Sequence, residues 1–110
     1  MIKSLRLVMR MSSYLVILWS NGSIDIVDIN AIASIRIYNH VTHAKVNVNM
    51  IDKLRIQFEF YNTTEIYKLL PTIKHAQKLG YDVIIDLVNS KILETQNGLI
   101  PKPVSRKNSA

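Results

Sequence analysis

Leu54-Arg55-Ile56-Gln57-Phe58-Glu59-Phe60-Tyr61-Asn62-Thr63-Thr64-Glu65-Ile66-Tyr67-Lys68-Leu69-Leu70 contains the change of hydrophobic period that decides the fold. Leu54, Ile56, Phe58 and Phe60 alternate with Lys53, Arg55, Gln57, Glu59 and Tyr61, which places the apolar set on one face of an extended chain. Such alternation calls for a sheet with one packed and one solvated face, the usual state of antiparallel strands. From Asn62 onward the rhythm is helical. Asn62 caps a helix and Glu65, three residues later, completes a capping box. Ile66, Leu69, Leu70, Ile73 and Ala76 then form one stripe, with Lys68, Lys74 and Lys78 outside it. The spacing predicts a helix over about 63–79. Pro71 has no N–H for the helical ladder, so the helix either kinks there or restarts with Pro71 in its first turn. Gly80 supplies the left-handed residue that ends it.

Upstream of this stretch the period is two. Leu5, Leu7, Met9 and Met11 alternate with Ser4, Arg6, Val8 and Arg10 and read as an edge or half-buried strand with a basic outer face. Tyr14 to Trp19 is apolar throughout, as a strand covered on both faces is. Asn21-Gly22 suits a two-residue hairpin turn into a strand from Ile24 to Val27, and Asp28 starts a turn. A strand follows at Ser34 to Tyr38, with Ile35 and Ile37 inward. Ala44, Val46, Val48 and Met50 line one face of the next. Downstream of the helix, Tyr81 to Val88 reads as a well-buried strand and Lys91 to Glu94 as a last short one before a second hairpin signal at Asn97-Gly98.

These elements define an α+β domain: a mostly antiparallel sheet of five to seven strands with one main helix on one face, in which Leu54, Ile56, Phe58 and Phe60 meet Ile66, Leu70 and Ile73. Residues 1–100 form the single domain and 101–110 a flexible basic tail whose prolines and polar side chains give it nothing to pack. Cysteine is absent, which excludes disulfides and thiolate metal cages and suits a reducing, cytoplasmic setting. The basic, apolar amino terminus imitates a secretory signal, but its apolar run is too short and no small-residue cleavage site follows. No stretch reaches the ~20 apolar residues that span a bilayer, so no membrane partner is expected.

The formal net charge is +6, and its location matters more than its size. Lys3, Arg6 and Arg10 stand without an acid in the first ten residues; Lys91, Lys102, Arg106 and Lys107 face Glu94 alone in the last twenty. Basic and acidic side chains balance between these ends.

Catalytic motifs are lacking. No Gly-rich phosphate loop, Gly-x-Ser-x-Gly elbow or His-Glu-x-x-His helix is present, and three glycines leave little material for a backbone phosphate cradle. His40, His43 and His75 lack the cysteine or carboxylate company of a metal site, so neither a metal nor another cofactor is expected. Asp82 and Asp86 lie ~13 Å apart along a strand, too far to serve one bond, and Asp86 reads as a capping carboxylate at a strand end. Tyr38, Tyr61, Tyr67 and Tyr81 stand near basic residues without forming a known base-stacking signature.

Three functional expectations follow. The first is a small non-enzymatic binding protein, an inhibitor or adaptor, that docks to a protein partner or to itself through a sheet edge or helix face. The Ile-, Asn- and Lys-rich composition points to an A/T-rich coding genome and, by association, to an accessory protein of a phage or mobile element. The second is a nucleic-acid-binding regulator that uses Lys3, Arg6, Arg10, Lys102, Arg106 and Lys107. The third is a small-nucleotide-binding or sequestering protein in which Arg36, Lys45 and Arg55 converge as anion contacts.

Overall fold

The computed structural model describes residues 13–95, an α+β unit of seven strands and one α-helix. The order is β1 (Tyr14–Leu18), β2 (Ile24–Asp28), a 3-10 turn (Ile29–Ala31), β3 (Ile32–Asn39), β4 (Ala44–Met50), β5 (Arg55–Phe60), a second 3-10 turn (Glu65–Lys68), α1 (Leu69–Leu79), β6 (Asp82–Asp86) and β7 (Lys91–Thr95). The expected strand at Leu5 to Met11, the Asn97-Gly98 hairpin and the basic tail lie outside the described residues.

The strands divide into two sheets, one with the order β2-β1-β6-β7 and one with the order β3-β4-β5. Every pairing is antiparallel except that of β1 with β6, which runs parallel with Leu15, Val16 and Ile17 opposite Val83, Ile84 and Ile85. A parallel pair needs a crossover, and here the crossover contains the whole second sheet and the helix. The chain changes sheets at the first 3-10 turn, where the Asp28 side chain accepts from the Asn30 N–H.

The Asn21-Gly22 turn is a three-residue loop rather than the expected two-residue one. Trp19 N–H bonds to the Ser23 carbonyl, Gly22 N–H bonds back to the Trp19 carbonyl, and Gly22 takes φ +92°. That is the hairpin loop in which a glycine in the left-handed region restores the strand register.

One core joins the layers. Leu15, Ile17, Val27, Val83, Ile85 and Ile92 come from the four-stranded sheet, and Ala44, Val46, Val48, Phe58 and Phe60 from the three-stranded one. Ile66, Leu69, Ile73 and Ala76 come from the helical segment. Asn62 Oδ1 accepts from the N–H groups of Thr64 and Glu65, as a cap should. The other half of the capping box is missing, because the Glu65 carboxylate accepts from Ile92 N–H of β7 and pairs with Lys68 instead. Pro71 occupies the first turn of α1, where its lost N–H costs nothing, and Gly80 closes the helix at φ 75°.

Two members of the predicted core are corrected. Leu54 precedes β5 in a turn in which Lys53 has φ 76° and Asp52 accepts from Leu54 N–H, so its side chain is 67% exposed. Leu70 is 45% exposed, because Leu69, Ile73 and Ala76 form the row that faces the core and Leu70 falls on the rim.

Candidate functional site

Two surfaces of the described residues combine shape with unused bonding capacity. The first lies between β3 and the helical segment. β3 is an edge strand, paired among the described residues with β4 alone. Its inward residues Ile35 and Ile37 are half-buried, since the helix covers this margin of the sheet only in part. Leu70 stands between two adjoining depressions. One, of about 260 Å3, is lined by Ile29, Ile32, Ile35, Ile73, Lys74 and Gln77 as well; the other, of about 200 Å3, by Ile37, Asn39, Ile66, Tyr67 and Pro71. Gln77 Nε2 donates to Asn30 Oδ1 at 3.2 Å near one end, and Asn39 Nδ2 donates to the Tyr67 hydroxyl at 3.4 Å near the other. The first bond ties α1 to the 3-10 turn before β3 and the second ties the helical segment to the end of β3, so the two bracket the apolar groove along the sheet edge.

The second surface is the outer face of the three-stranded sheet. Register places Arg36 opposite Asn47 and Asn47 opposite Gln57; Tyr38 opposes Lys45, Lys45 opposes Glu59, and Asn49 opposes Arg55. The three predicted anion contacts, Arg36, Lys45 and Arg55, therefore share one face. Arg55 Nε donates to Asn49 Oδ1 at 3.0 Å, whose amide donates in turn to the Ser34 hydroxyl. Arg36 donates to the Tyr38 hydroxyl at 3.5 Å. None of the three cations is paired with a carboxylate among the described residues. A shallow concavity of about 340 Å3 lies over Tyr38, His40, Lys45, Asn47, Arg55 and Gln57. Asn47 at its centre is only 8% exposed, and its Oδ1 is buried without a hydrogen-bond partner.

The other predicted positions have local roles or lie elsewhere. Lys3, Arg6, Arg10, Lys102, Arg106 and Lys107 are outside the described residues. Asp86 Oδ1 accepts from the N–H groups of Val88 and Asn89 and Oδ2 from the Asn89 amide, which together hold its carboxyl below the usual value. Asp82 is buried and accepts from Tyr14 N–H, fastening β6 to β1. His40 stacks on His43 at 4.8 Å between ring centroids, and His43 on Tyr61 at 5.5 Å. His75 Nδ1 meets the Glu94 carboxylate at 2.6 Å. Among the described residues no three His, Cys, Asp or Glu side chains gather as a metal site would require, and no helix is long and apolar enough to cross a membrane.

Sequence reasoning missed Asn47 and the groove. Asn47 shares the parity of Lys45 and Asn49, so its place on the polar face was readable, but its burial depends on long neighbours from other strands. The groove depends on which strand lies beneath Leu70, a tertiary fact that no local period encodes. Comparison with protein-family models, with curated proteins and with solved structures finds no match.

Proposed function

We propose that this chain is a non-enzymatic docking protein that accepts an extended segment of a partner polypeptide along the edge of β3 that is unpaired among the described residues. The observation that carries the reading is the meeting of a long, lightly charged sheet edge with an apolar groove walled by α1. Exposed edges invite strand addition, and charges on the edge strand are the common deterrent. The β3 strand has eight residues and one charge, Arg36, whereas β2, β5 and β7 each carry two charges in five or six residues.

The edge also sets the chemistry of the guest. A strand laid beside β3 opposes Ile35 and Ile37 with one set of side chains and Ser34, Arg36 and Tyr38 with the other. Alternating apolar and acidic residues satisfy both sets, the apolar ones filling the depressions beside Leu70 and the acids meeting Arg36. Backbone bonds along the edge supply affinity, and the two depressions supply selectivity.

Titration with a fluorescein-labelled ten-residue peptide of alternating Val and Glu tests this, with an alternating Val and Lys peptide as control. The expected result is saturable binding of the acidic peptide, with amide shift changes confined to β3 and α1, and affinity reduced about tenfold or more by Leu70→Glu, which puts a charge in the apolar wall. Equal binding of both peptides, or shift changes elsewhere, would overturn the reading.

A further inference from the structure

We infer that the outer face of the three-stranded sheet is a nucleotide site, sharing only Arg36 with the β3 edge, in which Asn47 reads the base and Arg36, with Lys45 or Arg55 on either side of Asn47, holds the phosphate. Asn47 carries the inference. Buried polar atoms in folded proteins are almost always hydrogen-bonded, so a buried amide oxygen without a donor at the centre of a solvent-facing polar surface marks a place where a ligand N–H completes the set. The three cations surround it on the ladder: Arg36 directly opposite on β3, Lys45 two residues earlier on β4, and Arg55 diagonally across on β5, each about 5 to 8 Å away backbone to backbone.

A ligand that satisfies this face must present a hydrogen-bond donor, N–H or O–H, and, about 5 to 8 Å from it, a group with negative charge. Inorganic phosphate is too small to place a donor on Asn47 and its charge on the flanking cations at that separation, and a neutral base has no charge for the guanidinium groups. A nucleoside phosphate has both: an amino or ring N–H on the base for Asn47 Oδ1, and a phosphate for the cations. Tyr38, 41% exposed beside Lys45, and His40 at the margin of the concavity supply aromatic surface for the base. Arg55 is held in place through Asn49 and Ser34, and among the described residues none of the three cations forms an ion pair, although Glu59 lies opposite Lys45 on the ladder.

The same chemistry occurs in a free nucleotide and in a nucleic-acid strand, and the assay separates them. Calorimetric titrations use adenosine, cytidine and guanosine 5′-monophosphates, ribose 5-phosphate, inorganic phosphate and single-stranded ten-residue oligo(dA) and oligo(dC). At least one monophosphate should bind tenfold or more tightly than ribose 5-phosphate and inorganic phosphate. Oligonucleotide binding tighter than the monophosphate by tenfold or more assigns the site to a strand; comparable affinity per site assigns it to the free nucleotide. Asn47→Leu removes the orphan acceptor at similar volume. It should keep or raise the thermal midpoint while abolishing the preference for nucleotide over sugar phosphate, and Lys45→Gln with Arg55→Gln should weaken every anion about tenfold or more and flatten the salt dependence. Equal affinity for phosphate and nucleotide, wild-type binding by a folded Asn47→Leu protein, or no binding of any probe would overturn the inference. Leu70→Glu leaves this site intact, so failure here and failure of the groove reading are separately visible.

Discussion

Phe58 and Leu54 show how far single residues can be read from a pattern. Both sit on the inward parity of one alternating row, yet Phe58 is buried edge-to-face against Trp19 at 6.3 Å between centroids, while Leu54 lies in the turn before β5. Alternation assigns a face only where the chain is extended, and the turn held by the Asp52 side chain delays the start of β5 to Arg55, one residue later than the row suggests. Truncating Phe58 to Ala should therefore cost ~3 to 5 kcal/mol in chemical denaturation, and Leu54→Ala under ~1 kcal/mol. Similar costs for the two would mean that the turn carries Leu54 inward. Gly22 is a backbone case, since a Cβ added there meets nothing within 4 Å and only its φ of +92° resists a side chain. Gly22→Ala should cost about 1 to 2 kcal/mol, measured in the same way. A neutral substitution would show that the hairpin loop tolerates another geometry.

At the scale of elements, most of the secondary structure was legible and its pairing was not. The alternation in β4 and β5 and the stripe from Ile66 to Ala76 each arise from local periodicity, so the strands and the helix fall where the spacing puts them. Nothing local says that β6 joins β1 in parallel or that β3 to β5 leave the first sheet. Those outcomes are fixed by the switch at Asp28, the crossover through the second sheet, and contacts such as the Ser13 hydroxyl on the Ala76 carbonyl, which bind β1 to the end of α1. The candidate sites divide in the same way. Arg36, Lys45 and Arg55 share a face because strand parity and register agree, whereas the groove beside β3 exists only because α1 stops short of covering Ile35 and Ile37. Its edge can be tested by hydrogen exchange. Hydrogen exchange of β3 amides should slow at least several-fold when the Val/Glu peptide is bound, because strand addition protects the outward N–H groups. Unchanged exchange in β3 with the peptide bound would place the peptide elsewhere.

Across the whole molecule, charge is segregated although the described residues are formally neutral. The four-stranded sheet carries Asp25, Asp28, Asp82, Asp86 and Glu94 against Lys91, while the three-stranded sheet carries Arg36, Lys45 and Arg55 against Glu59. The acidic half is held together partly by its own carboxylates. Glu65 ties the helical segment to β7 through Ile92 N–H, and that bond, with Lys68, keeps its carboxyl below the ordinary 4.5. Asp86 closes the β6–β7 turn, and the Asn89 amide with the Asn89 and Val88 N–H groups keeps it below 3.8. A carboxyl whose value is lower folded than unfolded stabilises fully above the unfolded value and loses that contribution as pH falls through the folded one. Both groups therefore contribute at neutral pH and lose their contribution as pH falls below about 4.5. Because one core joins both sheets to the helix, the loss should appear in a single cooperative transition rather than as separate melting of the β6–β7 hairpin. Urea midpoints measured from pH 7 to pH 3 should be level to about pH 5 and then fall. The Glu65→Gln, Asp86→Asn double variant should start from a lower plateau and fall less steeply. An acid limb as steep in the double variant as in the parent would assign the acid sensitivity to other carboxylates, and a biphasic transition would show that the two sheets unfold apart.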